Sequence, residues 1–362
     1  MAKTKEVKAL IEVTKTTQTL LTHFQSSLAP STATPSQTKT PATELPNQLD
    51  AIKASTTLLK SHTTTLSLLL LTPPLTPSAL IAKIGDVNSG ALSGMVAAAT
   101  YTPGSGQKDD IGNIMRIELR AQVRQLVGTW GDVLALVLRM AESRQGAKGK
   151  DTGPSESEKQ DVLSATGVLW DACDALLKLC NDGVVGLVVK KATELRATLL
   201  DAIEELKEWG EDVADEDGEA EGSDDEEDEM FGAMNKLGKD DTELKELLDT
   251  SVKKLKMVGM LYQALIKRRL KTYPAASAAS ASTSNLGPKL DELMAVLKTI
   301  PDTVDDLASA FYDLDHDGAK ELLVQGCKEA KSAADIVKQN WAGTDDEFSA
   351  WSGKWAAAID AD

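Results

Sequence analysis

The chain has 362 residues, room for two or three domains of roughly 100–200 residues each, and 42% of it is apolar while aromatics supply only 4%. Cores must then come from Leu, Val, Ile and Ala, which is helix-bundle material, and a sandwich or barrel built on Tyr, Phe, Trp and Thr is not expected. The formal net charge of −17 is concentrated in Glu211–Glu229, with 13 acidic and no basic side chains, which leaves −4 on the rest; no surface for nucleic-acid phosphates is implied.

The N-terminal stretch MAKTKEVKALIEV alternates charged and apolar residues, unlike the continuous apolar run of a secretory signal. Val7, Leu10, Ile11, Leu20, Leu21 and Phe24 predict a first helix, and the Pro/Ser/Thr-rich residues 30–46 after it read as a mobile loop. A second helix from about 49 to 71 stops at Pro73 and Pro74, which also cut the longest apolar run far short of the about 20 residues a bilayer span needs. A third is expected from Pro77, a residue suited to a first helical turn, to about Tyr101.

Beyond a Gly/Pro break at 103–106, Ile114, Ile117, Ala121, Val127, Trp130, Leu134, Val137 and Met140 mark one face of a long helix, followed by a polar loop at about 144–158. Val162, Thr166, Leu169, Trp170, Cys173, Leu177 and Cys180 form the next apolar stripe, and Leu195, Leu199, Ile203, Leu206 and Trp209 another. The acidic residues that follow have no apolar periodicity, so 211–235 reads as a disordered linker. Leu244, Leu248, Val252, Leu255, Val258, Tyr262, Leu265 and Ile266 then predict a strongly amphipathic helix, closed by the small-residue linker AASAASASTSNLG. Further helices are expected from 288 to 299, from the Ile300-Pro301 break to Tyr312, and from Gly318 to Trp341. A last one starts at Thr344, with Glu347 completing a capping box and Phe348, Trp351, Trp355 and Ile359 on one face. The expected fold is all-α: an N-terminal bundle over 1–210 and a C-terminal bundle over 236–362, joined by the acidic linker.

The inventory for chemistry is thin. His23, His62 and His316 lack the spacing that puts metal ligands on one helical face, and no His is placed to activate a Ser or Cys nucleophile, so neither catalytic residues nor a cofactor or metal is expected. Cys173, Cys180 and Cys327 lie on apolar stripes and read as core thiols in a reducing compartment. Asp313, Asp315, Asp317 and Gly318 imitate the start of a calcium loop, but Lys320 stands where an apolar residue is usual and Val324 where a bidentate Glu is required. The segment therefore reads as a turn between helices.

Three features are candidates for interaction. Lys267, Arg268, Arg269 and Lys271, with Lys253, Lys254 and Lys256 upstream, read as a solvated face that complements the negative helix end, as a nuclear-import signal, or as a dock for an acidic partner or the acidic tract. Ser223, followed by Asp224, Asp225, Glu226 and Glu227, suits an acidic-directed kinase, or the tract is a plain spacer. Trp351 and Trp355 either close the C-terminal bundle or anchor a partner.

The stretch TGVLWDACDALLKL from Thr166 resembles the cyclin-D-binding, or cyclin-D-interacting, protein family. GALSGMVAAATY from Gly90, RIELRAQVRQLV from Arg116 and IPDTVDDLASAFYDLD from Ile300 agree with it. The resemblance implies two bundles with vinculin- or talin-like up-down packing, residence in cytoplasm and nucleus, and restraint of cell-cycle progression through contacts with cyclin-class or transcription-regulatory proteins. The family's zipper character is interrupted here, since the heptad from Leu169 through Leu176 meets Gly183. The leading expectation is a non-enzymatic regulatory interaction protein with no direct nucleic-acid or membrane partner. A vinculin/talin-like cytoskeletal adaptor and an acidic chaperone of basic nuclear proteins stand as alternatives.

Overall fold

The structure, a computed structural model, describes residues 2–30, 47–104, 109, 111–146, 153–211, 236–238, 241–274 and 286–361. Their regular structure is entirely helical, with no strand among the described residues, and none of the helices is long and apolar enough to cross a membrane. The expected loop at 30–46, the acidic linker and most of the small-residue linker lie outside the described residues. The chain forms two compact units, residues 1–184 and 185–362.

The first unit contains α1 (Ala2–Ser27), α2 (Gln48–Leu71), α3 (Pro77–Asp86), a π-helical turn (Val87–Leu92), α4 (Ser93–Thr100), α5 (Gly112–Gly146) and the first arm of α6 (Glu156–Glu211). Asn47 caps α2 by accepting from the Leu49 and Asp50 amides, and Pro77 begins α3 where its missing N–H is not needed. Helix α1 packs on α3 and α5, and α2 packs on α4 and the π turn. Leu10, Leu59, Leu66, Ile84, Leu119, Trp130, Leu169 and Cys173 fill the interior. Threonine, an indifferent helix former, is tolerated there for a local reason. The hydroxyls of buried Thr14, Thr56, Thr63 and Thr166 donate to the carbonyls of Leu10, Ile52, Leu59 and Val162 one turn back, leaving only methyl groups to face the core.

Helix α5 buries the expected Val127, Trp130, Leu134, Val137 and Met140 but departs from the expected stripe in its first turns. Met115, Leu119, Val123, Leu126 and Trp130 are inside, whereas Ile117 is 58% exposed and Ala121 is on the surface. In those first turns Met115 and Leu119 have helical spacing as good as that of Ile117 and Ala121, and they are the residues enclosed where α5 packs on α1 and α4.

Within α6, Gly183 leaves helical geometry at φ 63° and ψ −166°, a backbone state open essentially to glycine alone. The division between units falls beside it. The second arm, expected as the end of the first bundle, therefore belongs with the C-terminal helices. Its Arg196 Nε donates to the Gly259 carbonyl at 3.1 Å, and Trp209 sets its ring against Phe311 and Tyr312 at 6.3 and 5.5 Å.

The second unit continues with α7 (Thr242–Arg268), a 3₁₀ turn (Leu270–Thr272), α8 (Leu286–Tyr312), α9 (His316–Ile336) and α10 (Glu347–Ile359). Helix α9 packs on α8 and α7, and α10 on α7 and α9. Helix α8 runs through Pro301 instead of breaking there. Proline has no N–H to offer the carbonyl four residues back, at Leu297, and that oxygen instead accepts the hydroxyl of fully buried Tyr262 at 2.5 Å. The turn of Asp313, Asp315 and Asp317 connects α8 to α9, with the Asp315 carboxylate accepting from the Gly318 amide. Helix α9 ends at Ile336, before the expected Trp341, and α10 starts at Glu347 behind Asp346, not at Thr344. Thr344 is held in a preceding turn by Asn340.

Candidate interaction groove

The C-terminal end of α7 is held by Arg269, the one member of the predicted basic cluster that the fold takes inside, at 1% exposure. Its five N–H groups all find acceptors. Nε donates to the Val337 carbonyl at 2.6 Å, Nη1 and Nη2 grip the Asp346 carboxylate at 2.8 Å each, and the remaining two reach the carbonyls of Arg268 and Lys338. The guanidinium also lies 4.3 Å from the ring centre of Phe348. Hydrogen bonding to Arg269 is the main reason the Asp346 carboxyl is held well below the usual carboxylate range. The same carboxylate accepts from the Phe348 and Ser349 amides, and the Ser349 hydroxyl returns a bond from the Asp346 amide, so a capping box starts α10 on the residue that Arg269 has already fixed. Arg269 is thus unavailable as an import signal or as a dock for an acidic segment; its role is to seat α10.

Seated in this way, α10 and the last turns of α7 enclose a groove of about 470 Å³. Met260, Gln263, Ala264, Lys267 and Arg268 come from α7, and Glu347, Phe348 and Trp351 from α10. Its apolar side is Met260, half exposed, with Phe348 and Trp351, whose ring centroids are 5.6 Å apart. Its charged rim is Lys267 together with Arg268, which pairs with Glu347 at 2.9 Å on the surface.

The two predicted tryptophans divide their roles. Trp355 is buried and its Nε1 donates to the Met257 carbonyl at 2.9 Å, so it closes the core. Trp351 stacks on it at 6.2 Å and stays half-buried, with a face to the groove. Lys267, Arg268 and Lys271 are exposed, and the first two share the groove with Trp351; Lys271 is not among its lining residues. Ser223 lies outside the described residues. The sequence reading missed Met260, although a signal was present: this apolar residue falls out of phase with buried Leu255, Val258, Tyr262 and Leu265 and stands among lysines.

The three cysteines are buried and free, and burial pushes the Cys173 and Cys180 thiols up to about 12, which keeps them protonated and unreactive. No group of His, Cys, Asp and Glu among the described residues is arranged to hold a metal. A second groove, of about 700 Å³, lies in the first unit between α1 and α5, beside exposed Ile117 with Arg120 and Arg124.

Residues 51–212, from the start of α2 to the end of α6, match the family model described as "Grap2 and cyclin-D-interacting, N-terminal". The α7–α10 groove lies beyond that segment. Over longer stretches the chain is similar to an uncharacterized protein of Schizosaccharomyces pombe, 24% identical over 86% of this chain and 85% of that one. It is also similar to the Cyclin-D1-binding protein 1 homolog of Xenopus laevis, 28% identical over 69% of this chain and 66% of that one. By its N-terminal region and by these relatives, the chain is similar to the cyclin-D-interacting protein family.

Proposed function

We propose that the protein is a non-enzymatic regulator that restrains cell-cycle progression by docking cyclin-class or transcription-regulatory proteins, in the cytoplasm and the nucleus. The observation that carries this reading is the α7–α10 groove. In a chain similar to an interaction family it offers an adaptable methionine and a part-exposed tryptophan beside cations, the residue types that anchor partner segments. The printed name of the Xenopus relative refers to cyclin D1 binding, and a partner of that class is extended to this chain as part of the proposal.

Affinity capture from cells with the full chain, read by mass spectrometry, is the test. The intact chain is expected to recover a cyclin-class or transcription-regulatory protein, and the pair Met260→Glu and Trp351→Ala to lose it. Raised expression of the intact chain, but not of the variant, should lower the fraction of cells in DNA synthesis. Recovery of actin-associated proteins alone would sink the reading, as would capture indifferent to both substitutions.

A further inference from the structure

Resting on the reading of the groove as a docking site, we infer that its occupant is an acidic amphipathic helix lying along α7, with apolar side chains over Met260 and Trp351 and carboxylates on the cations at either end. The carrying observation is a stripe. Lys253, Lys256, Met260, Gln263 and Lys267 are all exposed, and their spacings of three and four residues keep them on one face of α7. From Lys253 to Lys267 the stripe is about 21 Å long at 1.5 Å per residue, the reach of a four-turn helix. Its middle is apolar, where Met260 is 51% exposed beside Phe348 and Trp351, and its ends are cationic.

Charge decides the kind of helix. Residues 250–274 hold seven basic side chains and no acidic one, in a chain whose net charge is −17, and only Arg269 of the seven is taken into the interior. An acidic partner is repelled by the chain as a whole and attracted along this stripe, which selects the site. On α7 itself exposed Glu246 and Asp249 continue the same spacing before Lys253 and bound the cationic stripe at that end, and two further carboxylates stand near it. Glu204 is already bridged to Lys207 at 2.9 Å, with Lys256 the least of the attractions on it. Glu347 bridges Arg268, with side chains 82% and 60% exposed, so this rim pair can exchange for a partner's carboxylate at little loss. A helix suits the stripe better than an extended peptide, because its side chains recur at the same three-and-four spacing.

The test is fluorescence anisotropy on the full chain with a labelled synthetic helical peptide, leucines at i, i+3, i+4 and i+7 and glutamates toward both ends, against a twin with lysines in place of the glutamates. The glutamate peptide is expected to bind, more weakly as salt rises, and the lysine twin not to bind. Lys253→Glu with Lys267→Glu should weaken binding about tenfold, and both changes are on exposed side chains that leave folding intact. Trp351→Ala should cost about tenfold or more. Glu347→Gln, which releases Arg268, should strengthen binding about two- to fivefold.

Equal binding of the two peptides, or indifference to the paired charge reversal, overturns the inference. Binding that appears only after deletion of residues 212–229 overturns it too, and makes the chain's own acidic run the occupant. If the glutamate peptide fails while cellular capture still depends on Met260 and Trp351, the chemistry of the occupant is wrong and the docking reading stands. If the peptide binds as expected while capture recovers no regulatory protein, the reverse holds.

Discussion

Burying a guanidinium costs several kcal/mol unless every donor is satisfied and a counter-charge is close, and Arg269 meets both conditions through Asp346 and three backbone carbonyls. Lysine cannot reproduce this fork, so Arg269→Lys is expected to lower the stability of the second unit by about 2–4 kcal/mol in urea unfolding followed by tryptophan fluorescence. Asp346 makes the same contact pH-dependent. Its folded carboxyl titrates below its unfolded one, so the stabilisation is complete above the ordinary carboxylate range and is lost as pH falls below that range toward the folded value. The gap in urea midpoint between the natural protein and Asp346→Asn should be widest near neutrality and close in acid; a gap constant with pH would refute this origin. Leu314 presents the opposite case, a residue at odds with its backbone. It ends α8 at φ 58°, where the Asp315 amide reaches back to the Ala310 carbonyl, a closure that glycine normally serves. Relief of left-handed strain exceeds the flexibility added, so Leu314→Gly should stabilise by about 0.5–1 kcal/mol in the same assay.

Helix α8 survives its internal proline because a neighbouring element takes over the freed carbonyl. Tyr262→Phe leaves the Leu297 oxygen buried without a donor and should cost about 1–3 kcal/mol. In a Pro301→Ala background the alanine amide can serve that oxygen, so the Tyr262→Phe penalty should shrink by about 1 kcal/mol; additive losses in the double-mutant cycle would reject the account. Helix α6 handles its interruption differently. An added methyl at Gly183 meets no atom within 4 Å, yet its φ and ψ are those of glycine, so Gly183→Ala should lose about 1–3 kcal/mol through backbone strain alone, read from thermal unfolding.

At the scale of the whole molecule, the division of the chain decides what can stand alone. The arm after Gly183 contributes Leu200, Trp209 and Gly210 to the packing of α7 and α8. A fragment covering 184–362 is therefore expected to melt cooperatively by circular dichroism, and one starting at 236 to lose that cooperativity and expose apolar surface. Equal melting of the two fragments would count against the assignment of the arm to the second unit.

Leucine-rich stripes, proline positions and the scarcity of aromatics were sufficient to specify an all-helical chain and most helix limits, because periodicity and capping are local properties. Local signals could not choose between alternatives of equal local merit. In the first turns of α5 Ile117 had the same period as the buried stripe, and packing by α1 and α4 enclosed Met115 and Leu119 and left Ile117 outside. Among four adjacent cations only Arg269 met acceptors on all its donors, so it became an internal anchor while Lys267 and Arg268 stayed at a groove rim. Thr344 and Asp346 both stood where a cap could form, and the guanidinium 77 residues back in the chain settled it on Asp346. Which residues form helices is written in neighbours along the chain; which face is buried, which charge is satisfied and where a groove opens depend on groups that meet only after folding, and only the tertiary structure decides them.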